Sequence, residues 1–477
     1  MEKRRKSKIA TAQPFAIRGA LEGFYGTFYT FAQRDDLIRF LGQQGFNLYL
    51  YGPKNDRHHR RHWRKPYPVE HMAQFSQTVA VAQKAGLAFA YALSPGATIS
   101  YHSAEEFALL TNKLRAFYEI GVRDFSLFLD DIAPQFSDAG DALRYANYAA
   151  AQADLCNRTY SWLQKLDRHC TLSMCPTDYH GSAPFSAYLH ELGAHLDPQI
   201  GVFYTGPKIC STTIAAADAQ AFGRAVRRPP LIWDNYPVND LAMQCELHIG
   251  PIRGRDSSLH ENIAGAMVNL MSQPEASKIP LHTYATYFRD PAGYEPESAW
   301  ETALRQVAGE QSADALQRLG ENSLRCCLRT PEAEPLTGLA NAVLDGLNGA
   351  SPDGAESAFQ ALETYLQQLD EACYHLNYYL PRPALRQDIL PWTEGLHLQQ
   401  EMGRHALEVL GADTPLHSAG PVRRLQELLE EVSTYPKRIG GEALLPLARA
   451  ALRRVERLEH EPPLMPAAPE IAAGPGD

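Results

Sequence analysis

The residues with the clearest chemical potential in this 477-residue chain are two adjacent aspartates, Asp130 and Asp131. They close the stretch Val122-Arg123-Asp124-Phe125-Ser126-Leu127-Phe128-Leu129-Asp130-Asp131-Ile132, which follows a helical run stopped at Gly121. Its apolar middle reads as a strand buried on both faces, the habit of parallel sheets. Carboxylates at the carboxyl end of such a strand sit where barrels and doubly wound sheets keep their chemistry. Two close carboxyl groups repel, so one holds its proton more tightly and an acid stands beside an anion. A helix N-cap followed by a first-turn acid is the purely structural alternative.

Other apolar runs end in polar and aromatic clusters of the same kind. They are Glu22-Gly23-Phe24-Tyr25-Gly26, Tyr51-Gly52-Pro53-Lys54-Asn55-Asp56, Cys175-Pro176-Thr177-Asp178-Tyr179, Tyr204-Thr205-Gly206-Pro207-Lys208 and Trp233-Asp234-Asn235 running on to Asp240. Each alone suits a turn. Gathered at one rim, aromatic faces, acids and amides suit a polyhydroxylated ligand such as a sugar. Metal binding is the weaker reading. His58, His59 and His62 lie in a strongly basic loop, Arg57 to Lys65, and no His is spaced to complete a site with the aspartates. No phosphate-binding loop is present.

The elements that must position these residues alternate. Strands are expected at Phe15–Gly23, Phe46–Tyr51, Leu87–Leu93, the Asp-Asp stretch, Thr171–Cys175, Ile200–Tyr204, Leu231–Trp233 and Ile279–Tyr284. Helices are expected at Ala32–Gln44 behind a Thr30 cap, Val69–Ala85, Ser103–Ile120 and, as one long element, Ala139–Arg168. Eight strand–helix units over about 290 residues point to an α/β fold, a TIM (β/α)8 barrel. A doubly wound open sheet is the alternative, but no G-x-G-x-x-G follows the first strand. Beyond Glu295 only helical periodicity remains, as in Leu425, Leu428 and Leu429 and in Leu444, Leu447, Ala451 and Val455. The expected division is a disordered basic tail at 1–13, the barrel at 14–295, an all-helical domain at 296–461 and a disordered Pro/Ala/Gly-rich tail at 462–477.

A hydrophobic share of 45% with 21% charged residues describes a globular protein, and a net charge of −10 argues against nucleic-acid binding. Eight scattered cysteines fit thiols in a reducing compartment. No apolar run reaches signal-peptide or membrane-span length, so a cytoplasmic location without membrane association is expected.

The strand-end motifs, with Pro274-Glu275-Ala276-Ser277-Lys278, occur in an order that resembles glycoside hydrolase family 84, the O-GlcNAcases and related β-N-acetylglucosaminidases. The resemblance covers roughly residues 15–300. It implies a retaining, substrate-assisted hydrolysis of terminal β-linked GlcNAc through an oxazoline, with no cofactor and no metal. By match, Asp130 orients the acetamido N–H and Asp131 is general acid, then base. Tyr179 holds the acetamido oxygen, and Asn235 supports the acetamido group and the pair. Asp240 accepts from outer hydroxyls. Lys54, Asn269 and the backbone of Gly23 complete the pocket, and Trp233 and Tyr204 wall it. The implied partner is a β-GlcNAc-bearing protein, peptide or glycoside, and helical domains of relatives can mediate homodimers. An N-acetylhexosaminidase or hyaluronidase-like enzyme acting on glycans, and a non-catalytic GlcNAc-binding protein, are the competing readings.

Overall fold

The computed structural model describes residues 13–347, 349, 352–411 and 415–460. Nearly all of the two expected tails therefore lies outside the described residues. Eight parallel strands close into a barrel in chain order: β1 (Arg18–Glu22), β2 (Leu48–Tyr51), β3 (Ala88–Leu93), β4 (Asp124–Phe128), β5 (Thr171–Cys175), β6 (Gly201–Tyr204), β7 (Leu231–Asp234) and β8 (Gly265–Asn269). The helices between them are α1 (Phe31–Gln44), α2 (Val69–Lys84), α3 (Ala104–Glu119), α4 (Ala139–Arg144), α5 (Tyr148–Leu166), α6 (Ala187–His195) and α7 (Ala216–Val226). Beyond β8 come α8 (Pro274–Arg289), α9 (Pro296–Ala308) and α10 (Glu310–Glu321).

Strand alternation sorts the barrel into two apolar layers. Leu21, Leu50, Ala90, Phe128, Cys175, Phe203, Trp233 and Met267 pack inside. Tyr49, Tyr51, Phe89, Tyr91, Phe125, Met174 and Tyr204 face the helices. The interior is full. A Cβ on Gly19 would stand 2.0 Å from Met267 Sδ, so only glycine lets that methionine lie across β1. Thr30 caps α1 as expected, in a capping box with Gln33.

Two elements differ from the sequence expectation. The eighth strand is Gly265–Asn269, and Ile279–Tyr284 lies inside α8. Every residue from Ile279 to Ala285 is buried, so the helix shows no polar face, and its Ile, Thr and Tyr content mimics a strand. Pro274 at the first turn, followed by Glu275, is the helix-start signal that decides it. The run Ala139–Arg168 is two helices, because Asn147 leaves the helical conformation and caps α5 through Ala150 N at 2.9 Å.

The chain forms two compact units, and they do not divide at residue 295. The first contains the barrel, α9, α10, residues 372–394 and residues 436–441. Trp300 of α9 explains part of this, since its Nε1 donates to Ile249 O at 2.7 Å in the loop after β7. Trp392 Nε1 donates to Cys245 O of that loop at 3.0 Å. Asp388 accepts Glu275 N at 2.7 Å and Ala276 N at 3.2 Å, capping α8 from a distant segment. The second unit is helical and comprises α11 (Glu334–Leu347), much of α12 (Pro352–Tyr378) and α13 (Pro383–Gly411), α14 (Pro415–Thr434) and α15 (Leu445–His460). Leu425, Leu428, Leu444, Leu447, Ala451 and Val455 are buried there, and Leu429 is half-buried. No described helix is long and apolar enough to cross a membrane.

Candidate active site

Beyond Phe128 the fourth strand delivers both aspartates to the barrel's C-terminal mouth. Leu129 N still bonds Cys175 O at 2.9 Å, and Leu129 O accepts the Thr177 hydroxyl at 2.8 Å, which fixes the chain up to the pair. Asp131 then turns into the left-handed region, with φ 53°. Aspartate tolerates that conformation better than most residues, and strain of this kind collects at functional sites. The turn lets neighbouring side chains reach one cavity.

The two carboxylates have different surroundings. Asp130 is 4% exposed and bonds Lys54 Nζ through Oδ2, while its Oδ1 is buried with no partner among the described residues. Asp131 Oδ2 accepts the Tyr25 hydroxyl at 2.7 Å and lies 3.8 Å from Lys54 Nζ, and its Oδ1 accepts the Tyr179 hydroxyl at 2.9 Å. Burial pulls the Asp131 carboxyl upward. The Lys54 charge, the two phenols and Arg60 outweigh it and hold Asp131 below the usual carboxylate range. Burial acts against the Lys54 ammonium, but Asp130 and Asp131 more than compensate and keep it charged. That ammonium also lies 5.1 Å from the Phe128 ring centre and 5.5 Å from that of Trp233.

A second cluster joins β1, β7 and β8. Asn235 Oδ1 accepts Trp233 Nε1 and Asn269 Nδ2, both at 2.8 Å, and Asn235 Nδ2 donates to Ile209 O at 2.8 Å. Asn269 Oδ1 accepts Gly23 N at 3.2 Å. A Cβ on Gly23 would stand 2.8 Å from Trp233 Cζ2, so a side chain there would push into the pocket wall. Asp240 accepts Tyr25 N at 2.8 Å, and burial raises its carboxyl above the ordinary range.

These residues enclose a cavity of about 170 Å³. Of the ten site residues expected from sequence, nine line it: Gly23, Lys54, Asp130, Asp131, Tyr179, Trp233, Asn235, Asp240 and Asn269. Tyr204 does not. It is fully buried on the outer face of β6, stacked on Phe222 of α7 at 4.2 Å, with its hydroxyl donating to Gly181 O at 2.8 Å. Phe203 takes the inward position and Thr205, two residues on, lines the pocket. The strand's period of two carried that signal. Asn235 holds Trp233 and Asn269 and, among the described residues, makes no hydrogen bond to the aspartate pair.

Sequence reading missed Tyr25, Cys175, Cys210, Ile209, Val238 and Leu241 as lining residues. It also missed Arg60, whose Nη1 donates to the Tyr25 hydroxyl at 2.9 Å and Nη2 to Asp131 O at 3.3 Å. Cys175 was legible as an inward-facing strand end, whereas Arg60 arrives from a loop with no periodicity to read. Asp178 and Asp234 are engaged elsewhere, by the Ser186 hydroxyl and by Arg255.

His58, His59 and His62 do not converge on a common point. His59 is buried with Nδ1 on Ala92 O at 2.8 Å, and burial pushes it down to about 4. The one group of three potential metal-binding side chains among the described residues is His102, Asp138 and Asp141, away from this cavity. Asp141 there is occupied by Tyr101 N, His102 N and His102 Nδ1. A larger cavity, about 680 Å³, lies in the second unit among Asp370, His397, Glu401 and Arg404 and holds none of this machinery.

The sequence profile of the β-N-acetylglucosaminidases matches residues 18–321. The protein O-GlcNAcases of rat and mouse are each 35% identical over 276 residues, 57% of this chain. The matched region is 30% of each mammalian chain, so this chain corresponds to under a third of those relatives. Among solved structures, a variant of the O-GlcNAc hydrolase of Thermobaculum terrenum superposes with a TM-score of 0.89 at 31% identity, covering 94% of this chain and 96% of that one. With a profile match across most of its length and a closed barrel carrying an aspartate pair at its mouth, the chain belongs to the β-N-acetylglucosaminidase family, glycoside hydrolase family 84.

Proposed function

We propose that this protein is a retaining exo-β-N-acetylglucosaminidase of the O-GlcNAcase type, removing terminal β-linked GlcNAc by substrate-assisted catalysis. The observation that carries this reading is the buried, unpartnered Oδ1 of Asp130. A buried acceptor left without a donor costs about 1–3 kcal/mol, more when charged. An acetamido N–H is a donor of the right kind, and binding it would also direct the acetamido oxygen back to the sugar's anomeric carbon.

In the first step that oxygen attacks C1, the bond from C1 to the glycosidic oxygen breaks, and the Asp131 proton passes to the departing oxygen. The ring so formed is a protonated oxazoline, an oxazolinium ion whose positive charge is faced by Asp130. In the second step Asp131, now a carboxylate, takes a proton from water as that water attacks C1, and the bond from C1 to the acetamido oxygen breaks to restore the acetamide. Two inversions leave the configuration unchanged. In the open pocket Asp131 is held as an anion. A bound sugar displaces water and brings the glycosidic oxygen to it, which favours the protonated form that the first step needs. Tyr179 steadies Asp131 and the acetamido oxygen. Gly23, Asn269 and Asp240 take the ring hydroxyls against Trp233.

A cavity of about 170 Å³ supports cleavage of a single terminal sugar over cleavage within a chain. The test is hydrolysis of a chromogenic β-GlcNAc glycoside beside the matching β-glucoside, which lacks the acetamido group. Rapid hydrolysis of the first alone, with the β-anomer appearing first by NMR, is expected. Equal rates for both would reject the reading.

Asp240→Ala tests the outer wall. Each hydrogen bond to a charged group is worth about 1.5–3 kcal/mol, so kcat/KM should fall roughly 10- to 100-fold per hydroxyl contact. Wild-type kinetics in the folded variant would remove Asp240 from the sugar site.

A further inference from the structure

Residues 57–65 read Arg-His-His-Arg-Arg-His-Trp-Arg-Lys, five cations and three imidazoles in a chain of net charge −10. They form a turn-rich loop between β2 and α2, anchored by the buried Trp63, whose Nε1 donates to Thr98 Oγ1 at 3.1 Å. Two of its cations are committed. Arg64 Nε bonds Glu106 Oε1 at 2.7 Å, and Arg60 turns inward to Tyr25 and the Asp131 carbonyl. Arg57, Arg61 and Lys65 are exposed, and none has an ion-pair partner among the described residues.

Like charges packed this closely repel one another, and the fold draws no visible benefit from them. The His62 imidazole registers the field, lying below its usual pKa through desolvation and through Lys65, Arg61 and Arg57. Arg60 places the loop at the lip of the catalytic cavity. Beside the loop opens a cleft of about 570 Å³, walled by Phe31, Tyr67 and Phe75 and lined by Arg57, with Phe28 at its edge and 36% exposed.

We propose that this loop and cleft dock the polypeptide that carries the sugar, favouring acidic segments whose carboxylates meet Arg57, Arg61 and Lys65 while an apolar side chain enters beside Phe28. The proposal rests on the glycosidase reading above and extends it to the aglycone. A short acidic peptide fits better than a long polyanion. Screening confines the patch's attraction to about 8 Å at physiological salt, and a nucleic acid would run on over a surface of net negative charge.

The experiment uses O-GlcNAc peptides of matched length flanked by Asp and Glu or by Lys, with a chromogenic β-GlcNAc glycoside as the uncharged control. At low salt the acidic peptide should exceed the basic one in kcat/KM by roughly tenfold or more, mostly through KM, and the gap should close as salt rises. The triple variant Arg57→Glu, Arg61→Glu, Lys65→Glu should reverse the preference and leave the chromogenic rate unchanged. Phe28→Ala should raise KM for a peptide bearing an aromatic residue and not for the chromogenic substrate. Equal rates for the two peptides at low salt, or an unaltered preference in the triple variant, would overturn the proposal. So would stronger competition by an oligonucleotide than by an acidic peptide. A wild-type protein inert toward the chromogenic substrate would instead sink the glycosidase reading itself.

Discussion

Asp131→Ala is expected to lower kcat/KM for a serine-linked or methylumbelliferyl GlcNAc by roughly 10²–10⁴-fold, the usual worth of a positioned proton donor. A dinitrophenyl glycoside should keep most of its rate in the first step, because its leaving group departs without a proton. The geometry gives a reason to expect such a clean division. Tyr25, Tyr179 and Lys54 all address the Asp131 carboxylate, and Lys54 is held as well by Asp130 and Tyr25 by Arg60. The alkaline limb of the pH profile should change with it. Activity that needs protonated Asp131 falls as pH rises through its pKa in the complex, and the alanine variant should lose that dependence. Leaving groups of every kind slowed equally would show that Asp131 is not the acid.

The outline of the fold was legible because barrel strands carry strong local signals. β4 and β5 are short apolar runs between helices with plain stops, and their ends name the pocket. The misplacing of the eighth strand has one cause, the loss of contrast in a fully buried segment. α8 has no polar face across Ile279–Ala285, so neither period showed. β8, Gly-Ala-Met-Val-Asn, holds a single branched residue, Val268, and so carries little of the composition that marks strands. Tyr204 failed for another reason. Its aromatic type suits a sugar wall, but alternation turns Phe203 inward and Tyr204 outward, since a step of one residue on a strand moves a side chain to the opposite face. The division into units was hidden because the amphipathic stripes of α9 and α10 declare that they pack, and not against what. The partner in part is the loop after β7, reached by Trp300, which lies 51 residues along the chain.

The largest test of mechanism lies in the substrate. Replacing the acetyl methyl hydrogens by one, two and three fluorines makes the acetamido oxygen a weaker nucleophile with little change in size. If that oxygen attacks, log(kcat/KM) should fall steeply and nearly linearly with electron withdrawal. An enzymic nucleophile would leave the amide a spectator and the series flat. Asp130→Asn belongs to the same test. On the proposed mechanism it removes the anion that faces the oxazolinium charge, and should cost roughly 10²–10³-fold for good and poor leaving groups alike, the scale of a lost preorganised electrostatic contact. The expectation rests on the carboxylates that line the cavity. Asp178 and Asp234 are taken up by Ser186 and Arg255, leaving Asp130, Asp131 and Asp240. Ordinary retaining enzymes set nucleophile and acid about 5–5.5 Å apart across the scissile bond, with substrate-assisted enzymes a known exception. Asp130 and Asp131 are consecutive residues at one strand end, and the unpartnered oxygen of Asp130 suits an N–H better than a carbon. That leaves Asp240 as the remaining competitor, tied by one oxygen to Tyr25 N. A flat fluorine series together with a glycosyl adduct on Asp240 would move the nucleophile from the substrate to the seventh strand's loop, and the barrel and its aspartate pair would stand unaltered.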